Sequence, residues 1–151
     1  MRMLDWRVLP WERLVMPLHW TISHPSKLVL AFAKGIVQPA EVHRYFEAIT
    51  QEGARPYRKM FNVTHMEGGF SDEALAGFAA TVTANAATSA IGPIAIVARS
   101  MIGQQQAEIF ARTATANRPI KIFVEEYLAR KWLDEVTPVP RGIEAAGAAS
   151  R

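Results

Sequence analysis

The first regular pattern along the chain is Leu18–Ser23, where apolar and polar residues alternate as on a strand with one buried face. His24, Pro25, Ser26 and Lys27 follow as a turn signal, the proline removing a ladder donor. Lys27–Ala33 is then almost continuously apolar, the mark of a strand covered on both faces. The short link between the two predicts an antiparallel hairpin. Gly35 ends the second strand, and Pro39 opens a helix to Glu52, with Gly53 as its stop. Val42, Tyr45, Phe46 and Ile49 recur in it at helical spacing.

Tyr57–Val63 reads as the next strand. Ser71 then supplies a hydroxyl cap and Asp72 and Glu73 the acids that favour a helix start. Ala74, Leu75, Phe78, Val82 and Ala86 form the buried stripe of that helix. Ile94–Ala98 is a short, wholly apolar strand, and Ser100 caps a helix predicted to run to about Asn117 with Ile102, Ile109, Phe110 and Thr113 inward. Ile120–Val124 is the last strand, after Pro119. Glu125–Glu135 closes as a helix packing Leu128, Trp132 and Leu133. The predicted order is β-β-α-β-α-β-α-β-α. A helix between successive later strands forces parallel pairing and right-handed crossovers. The expected fold is therefore α/β: one mixed, mostly parallel sheet with an N-terminal antiparallel hairpin.

The pattern divides the chain into an N-terminal arm (1–15), a single domain (16–135) and a tail (136–151) rich in Pro, Gly and Ala, expected to fray. Trp6 and Trp11 in the arm read as anchors that fold back over a groove, pack on a second subunit, or touch a membrane surface. With 151 residues, half of them apolar, the chain supports one packed core. The absence of cysteine excludes disulfides, thiolate metal sites and thiol catalysis.

The formal charge of +3 is spread as a surplus of one in each zone, so no basic stripe forms and nucleic acid is not an expected partner. The local run Arg55–Lys59 reads as a solvated loop and strand entrance. No stretch approaches the roughly 20 apolar residues of a membrane span, and charges interrupt the start, so a cytoplasmic location is expected. His19, His24, His43 and His65 are not spaced as metal ligands, and no phosphate-loop motif occurs; no cofactor or metal is expected.

The best candidate surface is the segment Thr64–Ser71, at the carboxyl end of a strand, where open α/β sheets bind ligands. Thr64, His65, Glu67, Gly68, Gly69 and Phe70 belong to it, with the two glycines giving mobility. Ser71 reads as a helix cap or as a phosphoacceptor at a helix N-terminus, beside Asp72. Arg99 and Ser100, at the next strand's end, read as an anion holder or as an exposed Arg with a capping Ser. His65 with Glu67 is the single acid/base pair, and a hydrolase-like use of it is the enzymatic alternative.

From Leu18 to Leu133 the chain resembles the SpoIIAA-like, STAS-type domain family. The resemblance rests on the paired opening strands, the strand end Val97–Ser100, the following helix with Ala107–Phe110, and the strand-then-helix Ile120–Leu133. It implies a SpoIIAA-like fold and a non-enzymatic, protein-binding or regulatory role. In that family a serine at the start of the second helix, after an acid, is phosphorylated and a partner is released. Ser71 occupies that place, whereas Phe70 stands before it and Asn62 stands where an acid is usual. A bacterial branch is grouped with lipid-binding SEC14 domains, which implies the alternative of a carrier or sensor for a small apolar or lipid-like ligand. A carrier of that kind calls for an apolar cavity of about 300 Å³ or more beneath the helices. The expected function is thus a cytoplasmic interaction module, with a protein partner or a second copy, or else a ligand carrier.

Overall fold

In a computed structural model, residues 17–114 and 119–136 are described. Along the chain run β1 (Leu18–Ser23), β2 (Leu28–Gly35), α1 (Pro39–Gln51), β3 (Arg58–Met66), α2 (Asp72–Thr88), β4 (Ile94–Val97), α3 (Met101–Thr113), β5 (Ile120–Phe123) and α4 (Glu126–Val136). The predicted α/β order is the observed one. The strands lie in the sheet in chain order, β1-β2-β3-β4-β5, with β1 antiparallel to β2 and every later pair parallel. The expectations for the arm, with Trp6 and Trp11, and for the tail beyond Val136 lie outside the described residues.

Because each later strand follows its neighbour through a crossover of one hand, α1, α2 and α3 stack on the same face. Their apolar stripes meet Val29, Ala31 and Ala33 of β2 in the largest core cluster, with Tyr45, Leu75 and Phe78 supplied by the helices. Among the described residues, the opposite face of β3, β4 and β5 receives α4 alone, which buries Met60, Ala95 and Val97 against Ala129 and Leu133. Leu133 is 1 % exposed, and its burial stabilises the chain by about 2 kcal/mol. Strand alternation sorts β3 accordingly: Lys59, Phe61 and Val63 face the three helices, whereas Met60 and Asn62 lie under α4.

Three expectations are corrected. First, β3 continues to Met66, because its ladder with β2 resumes after an irregularity between Phe32 and Lys34, pairing Lys34 with His65 and Gly35 with Met66. Thr64 and His65 are therefore strand residues, and the connection to α2 shrinks to 67–71. Second, α3 does not turn Ile102, Ile109 or Thr113 inward; all three are exposed. Its inner face is Gly103, Gln106, Ala107 and Phe110, a helically spaced row whose small members let α3 approach the sheet. Third, the Arg55–Lys59 run is solvated only in part: Arg58 and Lys59 are each 7 % exposed, whereas Pro56 is exposed and Arg55 and Tyr57 are half-buried. Arg58 joins three elements, donating at 2.7 Å to Asp134 of α4 and at 2.8 Å to the Ser26 carbonyl in the hairpin turn.

Candidate functional site

The predicted rim residues lie at the carboxyl ends of β3 and β4, but their side chains divide into separate local roles. Ser71 Oγ accepts the Ala74 N–H at 3.1 Å as the cap of α2, with Asp72 and Glu73 in the first turn where negative charge suits the helix dipole. Ser100 Oγ does the same for α3, accepting the Gly103 N–H at 2.9 Å. Arg99 turns away from the 67–71 connection, donating to the Val124 carbonyl at 3.2 Å and to Glu125 at 3.0 Å. Thr64 bonds through both its N–H and its hydroxyl to Asn62 Oδ1. His65 and Glu67 are exposed, and no hydrogen bond or ion pair joins their side chains among the described residues. The structure does not assemble them into an acid/base pair.

What the connection does hold is Phe70. Its N–H donates to Gln106 Oε1 at 2.9 Å, and Gln106 Nε2 donates to its carbonyl at 2.6 Å. Gly69 permits this close approach, since a Cβ there would stand 2.6 Å from Gln106 Oε1. Gly68 adopts a left-handed φ of 68°, which favours glycine. Thus pinned, the Phe70 ring packs edge-on against Phe78 of α2, with centroids 4.9 Å apart.

Phe70 forms one end of a partly open apolar cavity of about 130 Å³ between the sheet and α1, α2 and α3. Phe61 of β3 and Ile96 of β4 form its floor, and Tyr45, Phe78 and Phe110 its roof. Burial raises the Tyr45 hydroxyl well above the ordinary tyrosine range, so that group stays neutral. The volume is less than half that expected for a lipid carrier. It is comparable with a cavity of about 150 Å³ lined by aliphatic and aromatic side chains, which stays dry and takes up benzene.

The other end is bordered by the polar residues Lys59, Arg55 and Asn85, although the wall they present to the cavity is almost wholly apolar. Lys59 reaches it from β3, its Nζ donating to the carbonyls of Arg55 at 2.5 Å and Tyr57 at 2.8 Å. Burial away from water pulls the amine down from its ordinary value to about 7. Arg55 donates from Nε to Thr50 Oγ1 at 3.0 Å and from Nη1 toward the hydroxyls of Thr88 and Ser89, at the C-termini of α1 and α2 where helix dipoles favour a cation. The Asn85 side chain also lines this end. None of the residues lining the cavity is acidic.

Of the residues that line the cavity, the sequence reading named Phe70 as a candidate and not Lys59, Arg55, Asn85 or Gln106. For Lys59 the signal was present: it shares the period-two face of Phe61 and Val63, so a lysine sits where the pattern calls for an apolar residue. Gln106 was hidden by the misassigned face of α3. Among the described residues no cluster of three metal-ligating side chains occurs, and no helix is long and apolar enough to cross a membrane. No model of a known protein family matches the chain, and no curated protein matches it in sequence.

Proposed function

We propose that this chain is a binding module for a small, mainly apolar ligand held between the sheet and the layer of α1, α2 and α3. The observation that carries this reading is the 130 Å³ cavity, roofed by aromatic rings from three helices and closed at one end by the pinned Phe70. A well-packed core leaves few voids larger than a water molecule, and an apolar space of this size lacks dispersion contacts that a ligand supplies. The ligand is about the size of a benzene derivative rather than a whole lipid. The resemblance in element order to SpoIIAA-like domains, and through them to the SEC14 grouping, agrees with binding rather than turnover. Toluene, a neutral apolar probe, should raise the unfolding temperature and protect the cavity-lining amides from exchange. Ala107→Leu, which fills the cavity, should abolish both effects while leaving the fold intact. Indifference of the wild-type protein to toluene would defeat the reading.

A second reading, docking of another copy of the chain at the carboxyl rim, is supported by the exposed apolar residues. Ile36 follows β2, Met101 and Ile102 open α3, and Val124, Tyr127 and Leu128 surround the start of α4, all of them exposed. This concentration at one end of the sheet, beside Arg99 and Ser100, is the sort of surface that interfaces use. Sedimentation across a concentration series should detect self-association that Met101→Glu with Tyr127→Glu removes. A monomer at every concentration would set this reading aside.

A further inference from the structure

At the amino ends of β2 and β3, opposite the carboxyl rim, the hairpin turn, the C-cap of α1 and the entrance to β3 bring His24, Glu52 and Tyr57 together. His24 Nδ1 stands 2.7 Å from the Tyr57 hydroxyl, and His24 Nε2 stands 3.0 Å from Glu52 Oε1. An ionised carboxylate only accepts, so Nε2 carries the ring proton and donates it to Glu52. Nδ1 is then the bare nitrogen and accepts the Tyr57 O–H. Both hydrogen bonds lie at the surface, with the His24 and Glu52 side chains about half exposed. Lys27 Nζ lies over the Tyr57 ring, 5.5 Å from its centroid. Among the described residues Lys27 is the one non-glycine residue with a positive φ, 52°, a conformation that favours glycine. The turn thus keeps a cation beside the phenol at some backbone cost.

We propose that Tyr57 is a nucleophilic tyrosine that takes the acyl group of small activated esters, with His24 as its general base. The site is separate from the cavity and does not depend on it. A hydroxyl tied to an imidazole that a carboxylate orients is the arrangement that activates a weak oxygen nucleophile. As Tyr57 Oη bonds to the acyl carbon, its proton passes to His24 Nδ1, and the ester bond to the leaving oxygen breaks. The products are O-acylated Tyr57 and the freed phenolate or alkoxide, and the imidazolium returns its proton to water. Glu52 stabilises the imidazolium without taking that proton. Lys27 favours the negative charge that builds on the phenol oxygen. The other two tyrosines lack this setting. Tyr45 is buried, and Tyr127, 69 % exposed, has no side-chain hydrogen bond among the described residues.

Tyr127 is therefore an internal reference. With p-nitrophenyl acetate as the probe near neutral pH, peptide mass spectrometry should find Tyr57 acetylated at least about tenfold faster than Tyr127, although Tyr127 is the more exposed. Release of the label by hydroxylamine distinguishes an ester on Tyr57 from an amide on Lys27. His24→Phe keeps an aromatic ring edge-on to Tyr57 but removes the base, and it should bring Tyr57 down to the Tyr127 rate or below. Glu52→Gln should slow Tyr57 by about threefold or more and Glu52→Asp by less, because charge is what stabilises the imidazolium; Tyr127 should keep its rate in both. Acetylation of Tyr57 no faster than of Tyr127 overturns the proposal, and that comparison is made within one wild-type chain. Equal rates at Tyr57 in the wild type and in His24→Phe overturn it as well.

Discussion

Gln106 and Phe70 exchange two hydrogen bonds, the glutamine amide meeting both the N–H and the carbonyl of a residue 36 positions earlier. This side-chain imitation of a strand pairing ties the β3–α2 connection to α3 and fixes one end of the cavity.

Gln106→Ala should cost about 1–3 kcal/mol, because it leaves two backbone groups of Phe70 without partners. Gly69→Ala should cost a similar amount by driving a methyl into the Gln106 side chain. In the Gln106→Ala background that second penalty should largely vanish, giving a coupling of more than about 0.5 kcal/mol in a urea-denaturation cycle. Additive effects would show that Gly69 serves some other purpose.

At Ser71 the cap is open to a direct test by stability measurements. Ser71→Ala should lose about 1 kcal/mol, lowering the midpoint of thermal unfolding by roughly 2–4 °C. Ser71→Asp keeps an accepting oxygen and adds negative charge at the positive end of α2, so it should unfold no earlier than the wild type. A Ser71→Asp protein as weak as Ser71→Ala would contradict the capping geometry.

Lys59 makes stability depend on alkali in a defined direction. Its amine binds a proton with a value of about 7 when folded but has its ordinary value of 10.5 when unfolded, so between these limits the unfolded chain holds more protons. Stability should therefore rise with pH from about 7 toward 10.5, by up to about 1.4 kcal/mol per pH unit; below 7 the full cost of burying the charge applies. Tyr45 acts oppositely once pH exceeds the ordinary tyrosine value, since its hydroxyl is raised. The clean comparison is wild type against Lys59→Met over pH 7–10, where the variant should lack this upward slope. Parallel curves would place the amine in contact with solvent.

The sheet and its pairing were legible because they follow from period and connection length. Alternation in Leu18–Ser23, an apolar run in β2 and a helix between each later pair leave few topologies open. What was not legible depends on tertiary fit. The extension of β3 through His65 needs the β2 irregularity beside Lys34, which no local signal announces. The inner face of α3 was misjudged because Ile102 and Ile109 are its most apolar residues, whereas close packing selected Gly103 and Ala107. Lys59 reads as a strand-entry charge until the C-terminal ends of α1 and α2 and the turn before β3 enclose it. A rim site could be expected from the α/β pattern; a buried lysine beside an apolar cavity could not.

Strand order identical to chain order has a consequence for how the protein assembles. Every ladder joins strands that are neighbours in sequence, so each new strand docks on a template already finished, and no early segment waits for a distant one. Synthesis from the N-terminus can build the hairpin first and extend it one crossover at a time. The exception is the last described element: until α4 emerges, Met60, Ala95 and Val97 lack the cover that Ala129 and Leu133 give them on the sheet's other side. A nascent chain paused before Glu126 therefore carries a sticky, half-finished surface, and the eleven-residue helix α4 is the piece that covers it.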